Sequence, residues 1–224
     1  LGQNFGKAFD VQFQSREGRL EYAWATSWGV STRLIGAIIM THSDDKGLVL
    51  PPTLAPEQAV IVPILKKDSA PAVLAYCEKL LAELKASGIR AILDGDDTQS
   101  PGWKFAEHEM NGVCLRIEVG PRDMAEGKAM VVRRDTGEKV AYEVAGLPAT
   151  ALGLLDAMQK NLYDKALAFR KENTKRVADR AELLAFYGKD QGDEAGTATA
   201  MGGFAEGLWC GDRECEAALK AETK

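Results

Sequence analysis

The chain lacks most features that would assign it to a special class. Its 4 cysteines (Cys77, Cys114, Cys210, Cys215) are too few and too scattered for a disulfide framework, which fits a reducing cytoplasm. No apolar run approaches the roughly 20 residues of a membrane span. No signal peptide is visible, so no membrane partner is expected. Positive charge is not in excess either. The net charge is −5, which does not advertise nucleic-acid binding, and no DNA partner is expected. What is present is ordinary for a soluble globular protein: 27% charged and 46% apolar residues. At 224 residues there is room for one large or two small domains with real cores.

One stretch, Thr26 to His42, stands out. Tyr22 to Trp28 alternates and is rich in aromatics, as strands are. Ser31 is a good N-cap candidate, and Leu34 to Met40 is almost wholly apolar, which predicts a helix packed on most sides. Arg33 is the only charge between Glu21 and Asp44. An unpaired charge is costly to bury, so Arg33 should meet an anion at the helix start, a phosphate or a nearby carboxylate.

Elsewhere the pattern alternates between strand and helix. Phe9, Val11 and Phe13 alternate with polar residues, and Ser15-Arg16-Glu17-Gly18 has turn composition. This predicts an antiparallel hairpin with Leu20 to Trp28 as the returning strand. His42 to Gly47 is a polar break whose Asp44 and Asp45 read as a solvated turn, with Gly47 suited to a sharp bend. Pro51-Pro52 to Pro56 is a stiff linker and the expected domain boundary. Beyond it, Ala59 to Val62 and Ile89 to Leu93 read as buried strands. A helix between them carries Val73, Cys77, Leu80, Leu81 and Leu84 on one face, with Gly88 at its end. That is a βαβ unit, so its strands should be parallel. Asp94 to Asp97 reads as a solvated loop. A short helix is expected from Gly102 to Met110, and strands at Val113 to Val119, Ala129 to Arg133 and Val140 to Val144, with a break at Gly120 to Asp123. From Leu147 to about Tyr187 the pattern is helical, with Leu152, Leu155, Leu162 and Phe169 as its stripe. After Gly188 the glycines Gly192, Gly196, Gly202, Gly203, Gly207 and Gly211 mark a loop-rich end.

The wording is more specific than the pattern. Trp28-Gly29-Val30-Ser31-Thr32-Arg33, then Met40 to Pro52, closely resembles the third motif of prolyl-tRNA synthetase, a class II synthetase, in its archaeal/eukaryote-like form. Leu1 to Phe5, Gly102-Trp103-Lys104-Phe105 and Arg133-Arg134-Asp135-Thr136 extend the match, and a weaker one reaches the end of the chain. The resemblance implies an α/β chain in three parts: residues 1–50 as part of a class II antiparallel catalytic sheet, 51–150 as an anticodon-binding domain with a mixed five-stranded sheet, and 151–224 as a linking helix with a small zinc-site-like α+β module. With Leu1 first instead of methionine, it also reads as a fragment that lacks the family's first two motifs.

The activity implied is ATP-dependent ligation of L-proline to its cognate tRNA, in the cytoplasm, by an enzyme that works as a homodimer. ATP with Mg2+ is then a substrate. By resemblance Ser31 and Arg33 contact ATP, and Trp28 walls the proline pocket. Phe105, Glu109, Arg116, Arg122, Asp123 and Lys139 meet the tRNA anticodon, and Cys210 and Cys215 form half of a structural zinc site. The resemblance assigns no catalytic residue to this chain, because the groups that recognise proline's carboxylate and amine lie in the missing motifs. These residues alone should therefore not activate proline. From Trp103 to Lys139 there are 7 basic and 7 acidic residues, so base reading should outweigh bulk attraction to phosphate. Two departures from the family pattern stand out: Ser43 in place of a usual glycine, and Cys114 in place of a usual proline. A non-catalytic RNA- or protein-binding module on the same fold is the alternative. A glycine, threonine or histidine synthetase is disfavoured by the Thr41-His42 to Pro51-Pro52 wording.

Overall fold

The structure, a computed structural model, describes residues 1–66, 68–187 and 203–222. Residues 1–41 and 42–224 form two compact units.

In the first unit, a short helix α1 (Asn4–Ala8) precedes a hairpin of β1 (Gln12–Gln14) and β2 (Leu20–Tyr22), antiparallel with Phe13 opposite Glu21. The turn closes through the Gly18 N–H donating to Ser15 O. Both strands are shorter than the alternation predicts. Beyond β2 the chain keeps only a single bridge, between Ala25 and Gly2. Helix α2 (Arg33–His42) forms where expected, but it is not packed on most sides: none of its residues is buried, and Met40 is 88% exposed. Gly6 is the only buried residue of this unit. A hairpin with three-residue strands offers too little apolar surface to cover such a helix, so the apolar spacing of α2 meets no core here.

The second unit is built on a sheet in the order β4-β3-β5-β6-β7. Its strands are β3 (Ala59–Pro63), β4 (Ala91–Leu93), β5 (Leu115–Val119), β6 (Lys128–Arg133) and β7 (Lys139–Glu143). β3 runs parallel to β4 and β5, and β5–β6 and β6–β7 are antiparallel. This is the mixed five-stranded sheet that the pattern predicts. Helix α3 (Ala70–Ala86) buries Val73, Cys77, Leu80 and Leu84 against one face. On the same side lies α6 (Leu147–Glu172), with Leu147, Ala151, Leu155 and Met158 in the core. Each large side chain buried there contributes about 1.5–3 kcal/mol, so the stability of this unit rests on this face.

Three readings of the second unit need correction. Gly120-Pro121-Arg122-Asp123 is not a simple break but the start of helix α5 (Pro121–Glu126). Gly120 is extended, Pro121 supplies a preset first turn, and Asp123 Oδ2 accepts the Gly120 N–H at 2.8 Å. The long helix does not run to Tyr187. Asn173 Nδ2 bonds Phe169 O at 2.8 Å and Thr174 Oγ1 bonds Arg170 O at 2.6 Å, which satisfies the last carbonyls and releases the chain. It then forms β8 (Thr174–Arg176) and α7 (Arg180–Tyr187). The helix's buried stripe also differs from the predicted one, since Leu152 and Phe169 are exposed while Ala151 and Met158 are buried. β8 pairs in parallel with β9 (Phe204–Glu206), and α8 (Arg213–Glu222) comes after it. Gly192, Gly196 and Gly202 lie outside the described residues.

Candidate functional site

The second face of the sheet is where polar side chains gather. Register sets Arg116 between Val60 and Val132, and Glu118 between Val62 and Met130, while Lys139 pairs with Val132. Helix α4 (Pro101–Met110) covers part of this face, capped by Ser100 Oγ accepting the Trp103 N–H at 3.3 Å. Phe105 packs against the small Val60–Val62–Val113 cluster. One turn later, Glu109 reaches back to β5.

These elements bring five groups together. The Arg116 guanidinium lies 4.2 Å over the Phe105 ring, a cation–π contact. Arg116 Nη1 donates to Glu109 Oε1 at 2.8 Å and Nε donates to Glu118 Oε1 at 3.1 Å. Lys139 Nζ donates to Glu118 Oε2 at 2.6 Å. The result is a row of alternating charge, Glu109–Arg116–Glu118–Lys139, with Phe105 behind its arginine. Glu118 is only 3% exposed. A buried carboxylate is tolerable only because both oxygens are paired. The resemblance did not single it out; the signal was its place two residues after Arg116 on the polar side of a strand. Among the described residues Arg116 Nη2 and Glu109 Oε2 have no protein partner, leaving an NH2 group to donate and a carboxylate oxygen to accept. One face of Phe105 is taken by Arg116, and the ring also packs on the Val60–Val62–Val113 cluster.

Arg122 and Asp123 sit apart, in the first turn of α5. Asp123 is engaged in capping and Arg122 is exposed. No hydrogen bond or ion pair among the described residues joins them to the row.

Two buried cations hold α4 in place. Lys104, 2% exposed, donates to Asp94 O at 2.9 Å and pairs with Asp94 Oδ1 at 3.0 Å, while His108 Nε2 meets Asp94 Oδ2 at 2.9 Å. Burial pushes the Asp94 carboxyl up, but the bonds to His108 and Lys104 outweigh it and leave its pKa lowered. Asp94 is therefore a structural anchor and not a residue of a solvated loop. At the other end of α4, Arg134 Nε donates to Glu109 O at 3.1 Å and its terminal nitrogens grip Asp44 at 2.8 and 2.5 Å. The Arg134 bonds, outweighing burial, hold Asp44 at about 2. Asp44 lies exposed in a turn, as expected, and is in addition paired across 90 residues. Gly47 has φ +135°, in keeping with its predicted bend, whereas Asp10 is the only described non-glycine residue with positive φ, so Ser43 carries no such strain. Cys77 and Cys114 are buried, and burial pushes both thiols up to about 12.

In the first unit, Trp28, Ser31 and Arg33 all lie on the surface; Trp28 is 94% exposed. The Ser31 carbonyl accepts the Leu34 N–H at 3.1 Å, and Arg33 opens α2. Since Arg33 is not buried, its charge needs no protein partner.

Cys210 and Cys215 are exposed, and Cys215 Sγ donates to Asp212 Oδ2 at 3.9 Å. A structural zinc takes four ligands. Among the described residues no group of three or more His, Cys, Asp or Glu is placed to hold a metal, so these two thiols do not make a zinc site by themselves. No helix among the described residues is long and apolar enough to cross a membrane.

Comparison with known proteins gives this geometry a context. Residues 58–152 match the family model of the anticodon binding domain. That stretch contains Phe105, Glu109, Arg116, Arg122, Asp123 and Lys139. Over 100% of its length the chain is 52% identical to a proline–tRNA ligase of Chlorobium luteolum, and 53% identical to one of Chloroherpeton thalassium. It spans 44% of the length of each of these curated relatives. The crystal structure of prolyl-tRNA synthetase from Cryptosporidium parvum with L-proline and AMP superimposes with a TM-score of 0.83 at 37% identity, covering 100% of this chain and 45% of that one. By sequence along its whole length and by fold, the chain belongs to the prolyl-tRNA synthetases, of which it spans a part.

Proposed function

We propose that the sheet face under α4 reads the anticodon of proline tRNA, within an enzyme that uses ATP and Mg2+ to activate L-proline and ligate it to that tRNA in the cytoplasm. The observation that carries this reading is the Glu109–Arg116–Glu118–Lys139 row, lying inside the stretch that matches an anticodon binding domain. Unpaired bases are recognised on their Watson–Crick and Hoogsteen edges. A guanine offers N–H donors that suit the open Glu109 oxygen and a carbonyl that suits Arg116 Nη2. Proline anticodons carry two adjacent guanines, so both polarities are needed. The row is electrically balanced, which favours base contacts over general attraction to phosphate as the source of selectivity. Arg122, exposed beside Asp123, extends the surface toward the RNA backbone.

The three-part division into residues 1–50, 51–150 and 151–224 belongs to this reading. In the first part, Arg33 and Ser31 contact ATP and Trp28 faces proline. The exposed N-terminal turn of α2 suits this role, since helix starts favour anions. The 224-residue protein by itself should show no proline-dependent pyrophosphate exchange; measurable exchange would contradict the assignment of activation to motifs outside these residues.

Anticodon reading is tested by binding of this protein to proline tRNA transcripts at fixed salt, with the anticodon guanines intact and then replaced. A loss of about tenfold or more on replacement, roughly 1.4 kcal/mol, is expected. Equal, weak and steeply salt-dependent binding to both would favour a non-catalytic module that touches phosphate alone.

A further inference from the structure

Resting on that anticodon reading, we infer that Glu118 is a positioning residue for base recognition: it holds Arg116 and Lys139 apart and aims each at the RNA. Both of its oxygens are committed to these two cations. Its Oε1 receives Arg116 Nε at 3.1 Å and its Oε2 receives Lys139 Nζ at 2.6 Å. It sits under the row at 3% exposure, so it does not itself reach a base. Arg116 is fixed at three points: Glu118 on Nε, Glu109 on Nη1 and the Phe105 ring on one face. A guanidinium so held presents Nη2 in one orientation, and a planar fork loses little freedom on binding. Lys139 is the opposite case. Its side chain is 47% exposed on a flexible stem, and the bond to Glu118 is what ties it to the row. Without that carboxylate the ammonium would swing to the nearest phosphate and Arg116 would turn toward Glu109 alone.

A purely structural residue and a positioning residue then give opposite readouts. Loss of a structural contact weakens binding to every RNA in proportion. Loss of Glu118's charge should weaken binding to the guanine-bearing anticodon while leaving binding to the replaced one equal or tighter, because a freed lysine adds a phosphate contact and steepens the salt dependence by about one unit of slope.

The test compares the unaltered 224-residue protein with Glu118→Gln against proline tRNA transcripts with the anticodon guanines intact and replaced, across a salt series. The expected result is discrimination of about tenfold in the unaltered protein, falling below about threefold in Glu118→Gln, with the steeper salt slope. If the unaltered protein discriminates and Glu118→Gln keeps the same ratio, this inference is wrong and anticodon reading stands. If the unaltered protein does not discriminate, anticodon reading itself fails and the inference falls with it. Should Glu118→Gln melt below the assay temperature, Glu118→Asp takes its place. It keeps the charge but cannot span both cations, and the same ratio decides.

Discussion

Replacing Gly47 with alanine would break the connection between the turn at residues 44–47 and the end of α4. Gly47 has φ +135°, and a Cβ there would lie 2.3 Å from Met110 Cα and 2.8 Å from Met110 O. Both are backbone atoms, so no side-chain rotation relieves the clash. The backbone conformation alone costs an L-residue about 1–3 kcal/mol. Forcing an atom into a packed position costs about 1–3 kcal/mol more. The middle of these ranges gives about 4 kcal/mol, or a fall in Tm of roughly 8–16 °C for a unit of this size. Gly137→Ala is the control. Gly137 has φ +72° with nothing within 4 Å of an added Cβ, so only the backbone cost applies, about 1–2 kcal/mol. Thermal unfolding detected by circular dichroism, with reversibility checked, compares the two. A Gly47→Ala protein that melts within about 3 °C of Gly137→Ala would refute the proposed clash. Met110 is the residue after Glu109, so the same change should also loosen the Glu109–Arg116 bond and weaken RNA discrimination.

Acid should act through Asp44. Its folded pKa of about 2 lies below the ordinary value of 3.8, so the stability from its Arg134 pair is complete above the higher value and is lost as pH falls toward the lower. Urea midpoints should drop between about pH 6 and about pH 2.5 by more in the unaltered protein than in Asp44→Asn, and equal drops would count against the pairing. Asp135 ties the β6–β7 turn to α6: its side chain, 0% exposed, accepts from Arg133 at 3.0 and 2.8 Å and from Asn161 at 2.6 Å. Asp135→Ala should cost about 3–5 kcal/mol in denaturant unfolding, and a loss under about 1 kcal/mol would show that the ion pair is dispensable. Thiol labelling with a disulfide reagent should modify Cys210 and Cys215 at once and Cys77 and Cys114 only after denaturation, because burial holds the latter pair's thiols at about 12. Immediate reaction of all four would contradict the packing described.

Local periodicity carried much of the second unit's fold. Alternation at Leu115 to Val119 and the spacing of Val73, Cys77, Leu80 and Leu84 each state a period, and each element formed near its expected bounds. Side-chain competition with the backbone was less visible. Asn173 and Thr174 end α6 by bonding carbonyls four residues back, and Gly120-Pro121 starts a helix where turn composition indicates a break. Both signals are local, but their meaning depends on distant partners: β8 leaves the helix because β9, far along the chain, is there to pair with it.

What the sequence by itself determined is the five strands of the main sheet in their chain order, the polar strand at Arg116 and Glu118, the bend at Gly47 and, through its wording, membership of the prolyl-tRNA synthetases. These come from short-range rules, since repeat period, turn chemistry and motif are all written within a few residues. Only the tertiary structure decided which charges meet. Asp44 finds Arg134 across 90 residues, Asp94 collects Lys104 and His108, and Glu118 takes up Lys139 from two strands away. A side chain's charge is known from its letter. Whether that charge is solvated, buried or paired depends on which strands lie side by side, and that is fixed only when the sheet assembles.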